Sequence, residues 1–514
     1  MKLKELTDRL LIKTIKNEQD IEITGVQYDS RKVKAGHLFI CLKGYTVDGH
    51  DFIEQAIDKG AVAFLVEKEV DVPEHITTIQ VPDTRRSMAI VADTFYQSPT
   101  STLQVIGITG TNGKTTTSNI IQQILNENQK PSGLIGTINI QYSDVVIESK
   151  NTTPDTLELQ ELFDHMKNKD MSHVVMEVSS HALSLGRVWG TKFKTAIFTN
   201  LTQDHLDYHH SMEEYAHAKG LLFSGLTNEN FAVLNHDDPL CEKYSSITPA
   251  QVIRYGIDKE ADVYATDIKL TPRGTHFTLH TFKGKADVTT KLIGKFNVYN
   301  LLAAISACLI ENIELHAIVK TIEQINGVSG RFETVDAGQD FAVIVDYAHT
   351  PDSLENVLKT ARQLSKGKIT CVVGCGGNRD AGKRPIMANI AEKYSDYVIL
   401  TSDNPRNEDP HEILNDMEKG IEGTLGKDYT KLVDRKQAIE EAIFRGASLK
   451  TKDDCVIIAG KGHETYQIIG DVTNHFDDRE VAREFLQEYM KWKEQALVSE
   501  DLTNEEKAQS ILKK

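Results

Sequence analysis

Gly107-Ile-Thr-Gly110-Thr-Asn-Gly113-Lys114-Thr115, running on into Thr116, is the stretch on which the reading of the chain turns. An apolar run, Leu103-Gln-Val-Ile-Gly-Ile108, precedes it, and Ile120, Ile121, Ile124 and Leu125 follow at helical spacing. The pattern predicts a strand, a tight turn and a helix. Glycine lets the turn fold so that its N–H groups face an anion at the helix N-terminus. Lys114 would supply charge to the β/γ-phosphates of a nucleotide, and Thr115 a hydroxyl ligand for Mg²⁺. The strict phosphate-loop pattern wants glycine at 108, where isoleucine stands, so this is a variant loop. Its expected nucleotide contacts are Gly110, Thr111, Asn112, Gly113, Lys114, Thr115 and Thr116. A Gly-rich turn without a ligand is the plain alternative.

Working outward, the 514 residues suggest about three domains. Residues 1–100 hold short apolar runs (His37 to Cys41, Ala61 to Val66) and predict a smaller α/β domain. Residues 101–329 form the central domain, with further strands at His173 to Met176 and Thr195 to Phe198. Residues 330–494 alternate strands (Phe341 to Val345, Ile369 to Val373, Tyr397 to Leu400, Cys455 to Ile458) with helices, one marked by Leu354, Val357, Leu358, Ala361 and Leu364. The fold class is therefore α/β: a central phosphate-loop domain with a parallel-rich sheet, a Rossmann-like C-terminal domain and a smaller N-terminal one. Residues 495–514 form a charged tail, expected as a short solvated helix or a disordered end.

The N-terminus has no apolar core or small-residue cleavage site, and no run approaches the length of a membrane span. A cytoplasmic protein without membrane insertion is expected. A net charge of −17 argues against nucleic acid and requires any anionic ligand to be met by local cations. Arg187, Lys114, Arg331, Arg379, Lys383 and Arg384 supply them. Cys371 and Cys375 lack a second pair at zinc-ligand spacing and read as incidental thiols.

Two segments follow the next strands. Met176-Glu-Val-Ser-Ser-His181 offers Glu177 as a hard ligand for Mg²⁺. Asn200-Leu-Thr-Gln-Asp-His-Leu-Asp207 offers His205 and two aspartates for a second metal or for substrate. Lys219, on a helical pattern beside apolar residues, reads by pattern alone as a surface lysine.

Together, 109–116, 177–181, 199–207, Gly294-Lys-Phe-Asn-Val-Tyr-Asn300, Gly330-Arg-Phe-Glu333 and Asp346-Tyr-Ala-His-Thr-Pro351 resemble the Mur ligases, a family that includes folylpolyglutamate synthetase-like enzymes. Tyr28-Asp-Ser-Arg31, Gly44-Tyr-Thr-Val-Asp-Gly-His50 and Asn151-Thr-Thr-Pro-Asp155 are most similar to the members that add the third residue of the peptidoglycan stem peptide. The resemblance implies an ATP-dependent ligase acting on UDP-N-acetylmuramoyl-L-alanyl-D-glutamate through an acyl phosphate. It implies precursor contacts at Ser30, Thr152, Thr153, Ser179 and Arg187. Leu185 departs from the polar contact of some relatives. Asn297, Asn300, Arg331 and Asp346 resemble further ATP contacts. Lys114, His205 and Lys219 are the catalytic candidates. Thr115, Glu177, His205 and Lys219 form the metal set, with Lys219 as a CO₂-derived carbamate. That modification requires the amine to be neutral, hence a depressed pKa.

For the amine, Asp403-Asn404-Pro405-Arg406 resembles the family's meso-diaminopimelate signature. Diaminopimelate carries a distal carboxylate that lysine lacks, and an arginine can grip it with two parallel hydrogen bonds. Arg379, Gly460 and Glu464 match the other contacts to this amino acid, Glu464 suiting its ammonium. The alternatives are the L-lysine-adding version of the ligase and a nucleotide-binding relative that has lost the chemistry.

Overall fold

The strand Gln104–Thr109 lies near the middle of an 11-stranded sheet, between His173–Glu177 and Phe193–Phe198, both parallel to it. Beyond them run Ser132–Ile135 on one side and Phe231–Asn235, Gln251–Gly256 and Val263–Thr271 on the other, all parallel, and antiparallel strands close both edges. Alternate residues serve opposite faces. Val105, Val174, Met176 and Phe198 enter one core and Ile106, Ile108, Val175 and Ile197 the other. Burial on both faces explains why these strands read as unbroken apolar runs. Helix Lys114–Glu127 packs Ile120, Ile121, Ile124 and Leu125 into the second core, each fully buried. Every such side chain contributes about 1.5–3 kcal/mol.

Chain order positions the site. From the central strand the chain passes to Ser132–Ile135 and returns through His173–Glu177 to Phe193–Phe198 on the opposite side. The connections therefore diverge at the carboxyl end of Gln104–Thr109, where open α/β sheets bind ligands. Helix Lys295–Ile310 is almost wholly buried and brings Asn297 and Asn300 to this edge from its first turns.

A second sheet, six-stranded, runs Glu333–Thr334, Ala342–Asp346, Cys455–Ala459, Ile369–Cys375, Tyr397–Ser402, Tyr429–Leu432, all parallel after the first pair. Helix Pro351–Leu364 begins with proline at its first turn and a Thr350–Ser353 capping box, and it buries the expected Leu354, Val357, Leu358 and Ala361. A five-stranded sheet forms the N-terminal region, ordered Thr14–Lys16, Thr77–Gln80, Ala63–Val66, His37–Ile40, Gly25–Gln27.

This computed structural model describes residues 1–44, 47–271, 274–448 and 453–498. Tyr45 and Thr46 of the segment 44–50, and residues 499–514 of the charged tail, lie outside the described residues. Helix Asp478–Val498 carries the chain past 494 into the first tail residues. Among the described residues no helix is long and apolar enough to cross a membrane. All six cysteines are buried and unpaired, with Cys371 and Cys375 in the core of the C-terminal sheet.

Candidate active site

Two glycines shape the phosphate loop. Gly110 (φ +152°) and Gly113 (φ +88°) hold backbone that side chains rarely adopt, and a Cβ on them would lie 1.8 Å from Thr199 Oγ1 and 2.3 Å from Asn300 Oδ1. Around the loop opens a cleft of about 600 Å³, within the range of small-ligand sites. Thr111 to Thr116, Glu177, His205, Asn300, Arg331 and Asp346 line it, with Thr152 and Ser179 at one side. Asn297 does not line it. It accepts from Asn300 Nδ2 at 3.1 Å and so orients the asparagine that does. Lys114 Nζ donates to Gly110 O and Thr111 O, each at 2.9 Å, and burial pulls its pKa down.

Glu177 is 1% exposed at its strand's end. Its Oε2 accepts from Thr115 Oγ1 at 3.0 Å and Thr137 Oγ1 at 2.9 Å, and its Oε1 accepts from the Thr137 N–H at 2.9 Å. These hard oxygens fit Mg²⁺. A cation already rests there, since Arg331 Nη2 donates to Thr115 Oγ1 at 3.1 Å while its guanidinium lies 4.5 Å over the Tyr347 ring. Asp346 ends Ala342–Asp346, accepts from the Phe332 N–H at 2.6 Å, and is pushed by burial up to about 6 despite the nearby Arg331.

The surface reading of Lys219 is corrected by the structure. Lys219 is 1% exposed, because helix Met212–Ser224 turns that face toward the phosphate loop. Its Nζ donates to Gly110 O at 2.8 Å and lies 4.4 Å from the Tyr215 ring centroid. Burial first, and then the Lys114 charge, lower its pKa well below the usual lysine value. A downward shift is the direction that carbamate formation at a lysine amine needs. His205, in left-handed backbone at φ 55°, is neutral, with burial bringing its pKa to about 3. Its Nε2 lies 3.3 Å from Asp204 Oδ2. Burial opposes the ionisation of Asp204, yet its carboxyl is held below the usual range. Burial likewise brings the His349 pKa down to about 4, while Lys383 Nζ lies 3.6 Å from Asp204 Oδ1 and the His205 N–H donates to that oxygen at 2.9 Å.

Of the precursor candidates, Thr152 and Ser179 reach the cleft. Thr153 donates to Glu177 O at 2.8 Å and accepts from the Ser179 N–H at 3.0 Å, which aligns the two segments. Arg187 Nη1 donates to Thr153 O at 3.3 Å, while its buried Nε has no hydrogen-bond partner among the described residues. Ser30 stands outside the cleft and donates to Gln55 Oε1 at 2.7 Å. Its neighbour Tyr28 is close enough to Glu158, Asp155 and Arg187 for their charges to act on its phenol, whose pKa burial raises most. The N-terminal segment therefore faces the one around Arg187.

The amino-acid candidates collect where three parallel strands end. Asp403 to Arg406 follow Tyr397–Ser402, Arg379 follows Ile369–Cys375, and Gly460 and Glu464 follow Cys455–Ala459. Asn404 Nδ2 donates to Glu464 Oε2 at 2.9 Å. Arg406, at φ +52°, donates from Nη1 to Gly377 O at 2.9 Å, and its N–H pairs with Ile468 O at 3.1 Å. Gly460 (φ +118°) packs so close that a Cβ would lie 2.8 Å from Asp403 Oδ2. Arg379 is close enough to His181 of the central domain to help lower its pKa, behind burial. Pro405 O lies so near Gly377 that a Cβ there would sit at 1.9 Å.

Several participants escaped the sequence reading. Thr137 sits in no motif. Asp352 accepts from Asn112 Nδ2 at 2.8 Å, tying the C-terminal domain to the phosphate loop, but reads as a first-turn helix acid. Lys461 is fully buried although a lysine between glycines suggests a surface turn. One further grouping with metal-ligand atoms, His236, Cys241 and Glu242, lies elsewhere, with Arg254 Nη2 3.6 Å from Glu242.

Comparison with known proteins accounts for this arrangement. Models described as the Mur ligase family catalytic domain, the Mur ligase middle domain and the Mur ligase glutamate ligase domain match residues 22–96, 108–308 and 330–462. The UDP-N-acetylmuramoyl-L-alanyl-D-glutamate--2,6-diaminopimelate ligase of Bacillus cereus is 54% identical over 490 residues, covering 94% of this chain and 98% of that protein. The protein of the same name from Listeria monocytogenes is 49% identical, covering 94% and 98%. A solved structure of such a ligase superposes with a TM-score of 0.68 at 34% identity, covering 95% of this chain and 99% of its own. MurF from Acinetobacter baumannii shares the fold at 20% identity, with a TM-score of 0.66 and 89% and 95% coverage. The matches thus run along nearly the whole length of this chain and of these relatives, and the chain belongs to the Mur ligase family.

Proposed function

We propose that the chain joins meso-diaminopimelate to the D-glutamate of UDP-N-acetylmuramoyl-L-alanyl-D-glutamate, with ATP cleaved to ADP and phosphate. The observation that carries this reading is the pairing of two sites on adjoining strand ends. Asp346 borders the phosphate cleft, and the Gly460 N–H that opens the amino-acid pocket donates to Asp346 O at 3.0 Å.

The γ-phosphoryl group moves to the side-chain carboxylate of D-glutamate, giving an acyl phosphate and ADP. The amine nitrogen then attacks the acyl carbon, the tetrahedral intermediate expels phosphate, and the amine proton passes to solvent. Most of the catalysis is positioning and charge stabilisation. The loop N–H groups from Gly110 to Thr116 cradle the phosphates and Lys114 follows the transferring charge. Asn300, Arg331 and Asp346 hold the rest of the nucleotide. Thr115 and Glu177 would hold one Mg²⁺, and His205 with carbamylated Lys219 a second. These ions would supply charge neutralisation between phosphates and attacked carboxylate. Thr152, Thr153, Ser179, Arg187 and Ser30 bind the precursor. Arg406 and Arg379 take the distal carboxylate of diaminopimelate and Glu464 its ammonium. A site built around Arg406 discriminates against lysine because that ligand leaves the guanidinium unpaired.

The test is amide product and ADP formed with ATP, Mg²⁺ and the UDP-precursor, with meso-diaminopimelate compared against L-lysine. Product with diaminopimelate alone is expected. Equal use of lysine overturns the assignment of Arg406, and no product with either amine from folded, ATP-binding protein overturns the reaction.

A further inference from the structure

Lys461 occupies the turn after Cys455–Ala459, between Gly460 at φ +118° and Gly462 at φ +53°, and none of it is exposed. A buried ammonium is tolerated only when paired. Its Nζ lies 2.9 Å from Glu464 Oε2 and 3.3 Å from Asn404 Oδ1, with the Tyr466 ring centroid at 5.4 Å. Both polar partners belong to the proposed amino-acid pocket. Glu464 Oε2 takes a second donor, Asn404 Nδ2 at 2.9 Å, and Asn404 Oδ1 takes the Ile468 N–H at 2.9 Å. Glu464 Oε1 accepts no hydrogen bond among the described residues, and the side chain keeps 14% exposure. One oxygen is thus committed to the scaffold and the other is left for a ligand.

Building on the proposed function, we infer that Lys461 is a positioning residue that pins Glu464 through one carboxylate oxygen, so that the other receives the distal ammonium of the incoming amino acid. The charges around Glu464 require such a cation. Asp403 faces it from the loop after Tyr397–Ser402, Tyr347 and Tyr466 flank it, and the Arg435 charge also acts nearby but is committed to Asp478 at 2.7 Å. Burial, followed by Asp403, raises the pKa of Glu464, and Lys461 opposes both. With an uncharged residue at 461, Glu464 would titrate higher still and meet an ammonium with a carboxyl that has lost the 2.9 Å contact holding one of its oxygens.

The experiment uses the full chain with ATP, Mg²⁺ and the UDP-precursor. It compares meso-diaminopimelate with 2-aminopimelate, which keeps the distal carboxylate but lacks the distal amine. Lys461→Met is expected to raise KM for diaminopimelate about ten-fold at neutral pH. That loss should shrink as pH rises through the raised Glu464 pKa, while KM for ATP stays put. The preference for diaminopimelate over 2-aminopimelate should narrow. An unchanged preference overturns the inference, whether KM is unaltered or all parameters worsen together, since a purely structural lysine behaves that way. If Lys461→Met does not fold, Lys461→Arg decides: it keeps the cation and should keep the preference, and losing it refutes the role. Absence of any amide product from the wild-type chain instead rejects the functional reading itself.

Discussion

The phosphate loop is one unbroken stretch, Gly107 to Thr116, and most of what it offers an anion is backbone. The amino-acid pocket draws on three segments, 376–384, 403–406 and 460–465, and offers side-chain charge. Glycine can fix the first alone, because N–H direction follows from φ and ψ. The second must supply counter-ions as well as ligands, since each buried charge needs a partner. Their buried acids show the contrast. Glu464 has Lys461 at 2.9 Å. Among the described residues Asp346 has only backbone N–H partners and the more distant field of Arg331.

The largest expected effect tests whether the loop serves one chemical step common to every amine. Lys114→Ala should lower kcat about 10³-fold, the scale of removing a donor aimed at developing charge. ADP release, followed with diaminopimelate and again with 2-aminopimelate, should fall by the same factor for both. A loss confined to one amine would break the division of labour between the two sites.

Next in size, Arg406→Ala should cut kcat/KM for meso-diaminopimelate about 10²–10³-fold, as truncating one side of a buried charge pair does. Precursor-dependent acyl-phosphate formation, trapped by borohydride reduction, should stay within a few-fold of wild type. An equal fall in acyl phosphate would mean that Arg406 acts on the phosphate side, and the separation of the sites would be lost.

What was legible in the sequence follows the same line. Gly110, Gly113, Lys114 and Thr115 announce themselves because strand, turn and helix are adjacent in the chain. Val105 to Ile108 and Val174 to Met176 announce a buried parallel sheet because both their faces are covered. Lys219 gave the opposite signal. Helical periodicity cannot tell a face turned to solvent from one turned to a polar loop, so a buried lysine there looks like a snorkelling one. Thr137, Asp352 and Lys461 were invisible for a related reason. Thr137 and Asp352 act on residues distant in sequence (Glu177 and Asn112), and Lys461 reaches distant Asn404 as well as nearby Glu464, so only the tertiary fold shows these contacts.

The smallest effect concerns stability, and it tests the claim that Asp346 is buried without an ion-pair partner among the described residues. Its pKa is raised from 3.8 to about 6, so the folded chain holds this proton more tightly than the unfolded chain. Stability from such a group is fully present below the unfolded pKa and is lost as pH rises through the folded one. Asp346→Asn removes the titration while keeping an oxygen to accept the Phe332 N–H. The substitution should therefore change little at about pH 4 and raise Tm by a few degrees at neutral pH, a difference worth at most on the order of 2–3 kcal/mol. Carboxylates held low elsewhere, such as Asp477 beside Arg479, push wild type and variant alike in the opposite direction and cancel in the comparison. Melting both proteins across this range without ATP is the measurement. A Tm difference that stays flat, or that favours aspartate at neutral pH, would mean that Arg331 offsets the burial of Asp346, as Lys461 does in part for Glu464, and the contrast between the two sites would disappear.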